Sequence, residues 1–167
     1  MLERLLELPG RADELGQELL DLVEQRLLRE STPMAGAEEL VLRLKGRVPI
    51  AVASNTPGRL VRGALACAGI GRHFEVVVTG DEVAEPKPSP DVYLRACELV
   101  GASPAESIGL EDSPTGIAAV RAAGMFAIGI PSFPGVVLDG ADLVARSLHD
   151  RRVRQALGVG EGGGRSA

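Results

Sequence analysis

Residues 107–124 read Ser-Ile-Gly-Leu-Glu-Asp-Ser-Pro-Thr-Gly-Ile-Ala-Ala-Val-Arg-Ala-Ala-Gly. A short apolar run at 107–110 ends in two carboxylates, Glu111 and Asp112. Pro114 then opens a helix-like stretch that Gly124 stops. Apolar strand, sharp exit and immediate helix form the repeating unit of a parallel α/β sheet. Neighbouring side chains on a strand point to opposite faces, so both acids approach one ion only if the strand is already turning at Asp112. Mg²⁺ commonly takes one or two protein carboxylates, several waters and phosphate oxygens. The residue types fit Asp112 as a direct ligand and Glu111 as a second ligand or a partner that holds a bound water.

The same unit recurs on both sides of this stretch. Val48-Pro49-Ile50-Ala51-Val52-Ala53 is continuously apolar, as suits a strand buried on both faces, and a helix follows from Pro57. Residues 76–78 are a second strand, Pro90 opens a helix that ends near Gly101, and 126–130 form a strand. A short strand is expected at 141–144. The alternation predicts right-handed crossovers and a doubly wound parallel, Rossmann-like sheet. Residues 1–30 carry helical spacing instead, with a break at Pro9-Gly10 and then Leu15, Leu19, Leu22, Val23 and Leu27 on one stripe. A further short helix is expected at 37–45.

Ligands bind such sheets at the carboxyl ends of the strands. Two further clusters sit there. Ser54-Asn55-Thr56-Pro57 follows the first strand. It reads either as a capping sequence, with Thr56 as N-cap and Pro57 in the first turn, or as a phosphate cradle in which Ser54 and amides at the helix start bind oxygens. Glu85-Pro86-Lys87-Pro88-Ser89-Pro90-Asp91 places Lys87 between stiff proline neighbours. It is either a surface lysine or a counter-charge aimed at a phosphoryl group.

The bulk composition narrows the field. The chain has 167 residues, is 45% apolar and 25% charged, and carries a net charge of −5. That is a globular composition with no basic cluster, which argues against nucleic-acid binding. Three Phe, one Tyr and no Trp leave the core to Leu, Val, Ile and Ala. Cys67 and Cys97 belong to no metal or redox motif and read as small buried residues in a reducing compartment. No apolar window is long enough for a membrane span, and acids interrupt the apolar pattern at the start, so the expected location is cytoplasmic.

The order and spacing of the three clusters resemble motifs two, three and four of the haloacid dehalogenase superfamily. The stretches AVASNT, EPKPSPDVYL and GLEDSPTGIAAVRAAGM are similar to its phosphatase and β-phosphoglucomutase-like branch with a helical cap. The resemblance implies a partial helical cap at 1–32 and a HAD-type core at 33–150, with a disordered tail expected at 151–167. It implies Ser54, Asn55 and Lys87 as phosphate-binding residues, Lys87 also as a catalytic one, and Asp112 with Glu111 as ligands of a Mg²⁺ cofactor. The implied activity is Mg²⁺-dependent hydrolysis of a small phosphorylated metabolite through a phospho-aspartyl intermediate. A sugar-phosphate mutase, or a non-catalytic remnant that binds phosphate or a partner, are the alternatives.

One element of the family pattern is missing from this sequence. Its first motif is an apolar strand ending in Asp-x-Asp, and no Asp-x-Asp occurs here. The resemblance therefore implies an N-terminally truncated chain, inactive alone, with a fragment or second chain supplying the strand. Residues 50–53 are expected to pair with 76–78, and 107–110 with 127–130. A place for one more strand is expected between the two pairs.

Overall fold

The computed structural model describes residues 12–160, and strand and helix alternate from 51 to 129 as the pattern predicts, after which the last short strand follows with no helix between. Two helices come first, α1 (Ala12–Glu30) and α2 (Ala37–Leu44). There follow β1 (Ala51–Ser54), α3 (Gly58–Cys67), β2 (Val76–Thr79), α4 (Asp91–Val100), β3 (Ile108–Glu111), α5 (Pro114–Ala122), β4 (Phe126–Gly129) and the two-residue β5 (Leu143–Val144). Helix α6 (Arg151–Ala156) closes the described chain. The expectation of disorder from 151 gives way here. Asp150 caps α6 by accepting from the Arg152 amide, and Val153 and Val159 are buried. The start of the helical stretch at 1–11 and the Gly-rich end at 161–167 lie outside the described residues.

Every strand pairing is parallel. The β1–β2 ladder runs from Ala51↔Val76 to Ser54↔Thr79, and the β3–β4 ladder from Ile108↔Phe126 to Glu111↔Gly129. β5 adds to the far side of β4. Among the described residues no ladder joins β1 to β3, so there are two sheets, β1–β2 and β3–β4–β5. The register shows which backbone groups face the unjoined edges. Ile50 O accepts from Glu75 N, so residues 51 and 53 turn their amide groups away from β2. Ser107 O and Glu111 O accept from Phe126 N and Ile130 N, so residues 108 and 110 turn theirs away from β4.

Shared helices hold the two sheets together. One apolar cluster takes Val78, Ala51 and Ala53 from the first sheet and Ala127 from the second, with Val92, Tyr93 and Ala96 of α4 and Ile117 and Val120 of α5. The next residue on β4, Ile128, points into a different cluster with Val153 and Leu157. Leu40 and Leu44 of α2 extend that second face and touch Ile50 and Leu110. Helices thus cover both faces, which explains the unbroken apolar strands. Each fully buried Val or Ile here contributes about 1.5–3 kcal/mol relative to exposure.

One further expectation is corrected. Cys67 is exposed at the end of α3, and only Cys97 is buried. Leu19 and Leu22 of α1 are more than half exposed. The helix packs against α3, with Glu24 paired to Arg59 at 2.5 Å, but leaves much of its apolar stripe in solvent. Among the described residues no helix is long and apolar enough to cross a membrane.

Candidate functional site

Ser54 is the last residue of β1, and its hydroxyl oxygen accepts from Thr56 N at 3.1 Å, which closes the turn into α3. Its own O–H remains to donate outward. Thr56 is not the helix cap. Pro57 holds that position, Gly58 begins the helix, and the Gly58 amide donates to both carboxylate oxygens of Asp81 at 3.1 and 3.3 Å. Asp81 lies in the 3₁₀ turn after β2 and also accepts from the Thr79 hydroxyl at 2.5 Å. Chiefly that hydroxyl, with the backbone amides, holds its carboxyl below the usual range. Gly80 explains why the two exits meet so closely. A Cβ there would come within 2.4 Å of Asn55 O.

Asn55 uses its side chain on the lysine loop. Its carboxamide accepts from Lys87 N at 2.8 Å and donates to Lys87 O at 3.2 Å. That reciprocal pair fixes the backbone of Lys87. The ammonium is fixed separately. It donates to Ala53 O at 3.0 Å, to the Tyr93 hydroxyl at 3.0 Å and to Glu111 Oε1. The Lys87 and Glu111 side chains are only 10% and 8% exposed, so this ion pair is largely desolvated. It joins an edge carbonyl of β1 to the last residue of β3.

Glu111 is saturated by protein donors. Oε1 also accepts from Tyr93 O–H, and Oε2 accepts from Asp112 N and Ser113 O–H, both at 3.3 Å. Burial, and next the Glu111 charge, push the Tyr93 phenol far above its ordinary value, so it stays a neutral donor. Ser113 caps α5 by accepting from Gly116 N at 3.1 Å, with Pro114 in the first turn. The Glu111 carboxylate lies directly on that turn. A Cβ at Gly116 would overlap it at 1.9 Å. Asp112 sits past the strand end and is exposed, and one of its oxygens accepts from Ser132 O–H in the segment after β4.

The residues picked out from the sequence therefore lie along one carboxyl edge. Lys87 touches Ala53 and Asn55 on either side of Ser54, and it touches Glu111 beside Asp112. The acid pair divides its work: Glu111 faces inward to Lys87, while Asp112 faces outward. Among the described residues no three His, Cys, Asp or Glu side chains surround one point. The hard oxygen of Asp112 is the outward-facing group that suits Mg²⁺, whose remaining places water and phosphate ordinarily fill.

Sequence reasoning missed Tyr93, Asp81, Gly80, Gly116 and Ser132. Gly116 carried a signal, since glycine inside a helix costs about 1 kcal/mol against alanine and calls for a reason. Tyr93 is the one tyrosine of an aromatic-poor chain. Ser132 and Asp81 act across strands, and nothing local marks them.

Comparison with known proteins agrees with this geometry. The family model described as "haloacid dehalogenase-like hydrolase" matches residues 2–124. The bifunctional riboflavin kinase/FMN phosphatase of Arabidopsis thaliana is 35% identical over 153 residues, 89% of this chain and 40% of the relative. The β-phosphoglucomutase of Bacillus subtilis is 35% identical over 133 residues, 75% of this chain and 56% of the relative. Among solved structures, a CbbY variant from Rhodobacter sphaeroides in complex with xylulose-(1,5)bisphosphate superposes with a TM-score of 0.73 at 28% identity. It covers 80% of this chain and 63% of that one. The chain spans about half the length of the curated relatives it matches. With the family model covering most of the sequence, and an α/β fold of parallel strands beneath it, the chain belongs to the haloacid dehalogenase-like hydrolases.

Proposed function

We propose that the protein hydrolyses the phosphate ester of a small metabolite with Mg²⁺, and that this chain carries the phosphate- and metal-binding side of the site. The observation that carries the reading is the buried Lys87 ammonium, held at the strand ends between the Ser54–Asn55 turn and the acid pair. An ammonium has three protons to donate, and Ala53 O, Tyr93 Oη and Glu111 Oε1 take all three. To meet a phosphoryl oxygen, Lys87 exchanges one of them. The Ala53 carbonyl is the uncharged backbone acceptor and the one to yield. Ser54 O–H and the Asn55 backbone amide then complete the donors around the phosphoryl group. Asp112 would hold Mg²⁺, with Glu111 keeping Lys87 in place beside it. Bound there, Mg²⁺ would offset the charge of the phosphoryl oxygens.

The attacking carboxylate would come from a strand seated against the edges of β1 and β3, carried by a further segment or by a partner chain. Its oxygen would bond to phosphorus as the ester P–O bond breaks and the leaving alkoxide takes a proton. Water would then split the acyl phosphate. By itself the chain is expected to bind phosphate without turnover. Similarity to a phosphatase and to β-phosphoglucomutase supports sugar-phosphate mutation as the second reading on the same site.

Binding of inorganic phosphate, followed by ³¹P NMR with Mg²⁺ present, tests the proposal on the chain as it stands. We expect saturable binding that Lys87→Ala and Ser54→Ala each weaken strongly. Adding a peptide with an apolar strand ending in Asp-x-Asp should then produce hydrolysis of para-nitrophenyl phosphate. Phosphate binding that survives Lys87→Ala would remove the reading.

A further inference from the structure

Tyr93 stands in the first turn of α4, and its side chain serves two neighbourhoods. The ring belongs to the apolar cluster that holds Val92, Ala96 and Ile117, where phenylalanine would fill the same place. The hydroxyl reaches the strand ends and joins Lys87 and Glu111. The groups themselves fix the direction of both bonds. An ammonium has no lone pair, so Lys87 donates to Tyr93 Oη at 3.0 Å. An ionised carboxylate has no proton, so Tyr93 O–H donates to Glu111 Oε1. Lys87 also donates to Glu111 Oε1 directly, which closes a ring of three hydrogen bonds in a nearly dry place. A carboxylate offers about four lone-pair sites. On Glu111 they face Lys87 and Tyr93 at Oε1, and Asp112 N and Ser113 O–H at Oε2. Lys87 thus holds one place on the carboxylate, and Tyr93 Oη takes its second proton.

We propose that Tyr93 is a positioning residue. Its hydroxyl, shared between Lys87 and Glu111, keeps the ammonium from being drawn wholly onto the carboxylate and leaves the third proton at the β1 edge for a phosphoryl oxygen. This rests on the reading of Lys87 as a phosphate-binding residue. In Tyr93→Phe one lysine proton and one Glu111 lone pair lose their partner at the same point, with little water to replace it. Each is the other's best remaining partner. The ammonium then turns toward Glu111 and away from Ala53 O, the place a phosphoryl oxygen takes. The substitution leaves the charges in place. It also keeps the ring, whose centroid is 4.7 Å from Lys87 Nζ and which attracts the ammonium with or without its hydroxyl. Tyr93 acts through Lys87 and not on the phosphate.

The chain has one tyrosine and no tryptophan, so its phenol absorption band reports on this hydroxyl alone. A hydrogen bond donated to a phenol oxygen moves the band to shorter wavelength, and weakening that bond moves it back. Inorganic phosphate is titrated into the chain while the band and the ³¹P NMR signal are both followed. The band should shift to longer wavelength with the midpoint that NMR gives, as Lys87 shares its charge with the anion. Lys87→Met should remove the response. Tyr93→Phe should weaken phosphate binding by roughly tenfold, the worth of one hydrogen bond to a charged group. Cys97→Ala is the control. It trims a buried side chain of the same helix whose sulfur meets Ser107 and no residue of the site, and should leave the affinity within twofold. Phosphate binding with an unmoved phenol band overturns the inference and leaves the reading of Lys87 standing. So does a loss in Tyr93→Phe within twofold, or one that Cys97→Ala matches. Phosphate binding that is absent, or that survives Lys87→Met, overturns the reading of Lys87 and this inference together.

Discussion

The exits of the two sheets are built differently. After β1 and β2, backbone meets backbone: Gly80 lies against Asn55 O, and the start of α3 is held by the Asp81 carboxylate. After β3 and β4, side chains meet side chains: Glu111 with Lys87, Tyr93 and Ser113, and Asp112 with Ser132. The first arrangement is rigid and exposes hydroxyl and amide donors, which suits an anion of fixed shape. The second concentrates negative charge on adjustable groups, which suits a cation. Lys87 is the bolt between them, a positive charge on an edge carbonyl of one sheet and on the terminal acid of the other. Under the proposed function, a phosphoryl group with its metal ion would need both kinds of surface at a fixed separation, and the lysine would set it.

Removing the bolt should have the largest effect. Lys87→Ala leaves the Glu111 carboxylate buried without its cation, and loss of one partner of a buried pair typically costs about 3–5 kcal/mol. Urea unfolding should show that loss. The double variant Lys87→Met with Glu111→Gln should recover most of it, because no charge is then left stranded. A single variant that costs less than about 1 kcal/mol would place the pair among ordinary surface bridges and dissolve the comparison.

Two glycines test the contrast more finely. Gly80→Ala drives a methyl group into the Asn55 backbone, and overpacking of that kind costs about 1–3 kcal/mol. It should weaken phosphate binding as well, because the Ser54–Asn55 turn must shift. Gly116→Ala meets only the tip of the Glu111 side chain, and the gain in helix propensity, about 1 kcal/mol, works against the clash. Its stability change should be smaller than that of Gly80→Ala, because the carboxylate can shift while keeping Lys87 as its partner, and the displaced ammonium should lower phosphate affinity. Equal stability losses in the two variants would show that the exits are held alike. Asp81→Asn belongs to the same series with a smaller effect. Its depressed carboxyl contributes stability above the ordinary carboxylate value of about 3.9, and that contribution is lost as pH falls through the lower folded value. Acid titration of the urea midpoint should be flatter in Asp81→Asn.

The sequence made the strands legible because burial on both faces removes every polar residue from them, as in 48–53 and 126–130. It marked the candidate site residues Ser54, Lys87, Glu111 and Asp112 because each lies within three residues of a helix-opening proline or on a proline-bounded loop. Helix α6 was hidden. It is six residues long, four of them polar, and its order comes from one buried valine and an aspartate cap. Tyr93 has the spacing of the other buried residues of α4, Val92, Ala96 and Cys97, and its hydroxyl adds nothing to that spacing. Partners joined across strands, such as Ser132 with Asp112 or Asp81 with Gly58, are set by register, which local patterns do not carry.

The smallest effect concerns the opposite end of the first sheet, and it asks whether the two sheets unfold as one body. His73 lies in the 3₁₀ turn after α3 and is buried. Its Nδ1 is 3.3 Å from Lys45 Nζ beyond the end of α2, so Nδ1 accepts and the proton sits on Nε2, a buried atom with no partner among the described residues. Burial first, then the charges of Lys45 and Arg72, lower its pKa, with Glu38 opposing weakly. The sign follows directly. Below about pH 6.5 the unfolded chain takes up a proton that folded His73 refuses, so stability falls as pH drops through that value. The fall levels off once the folded imidazole is itself protonated. His73→Gln should flatten the pH dependence of the urea midpoint between about pH 7.5 and 5.5. Because Val78, Ala51 and Ala127 share one core cluster, the slope should be the same whether unfolding is followed at the exposed Cys67, labelled on the first sheet's helix α3, or at Tyr93, which packs on both. A slope confined to the Cys67 probe would mean that the first sheet opens by itself, and that Lys87 ties together two units which otherwise melt apart.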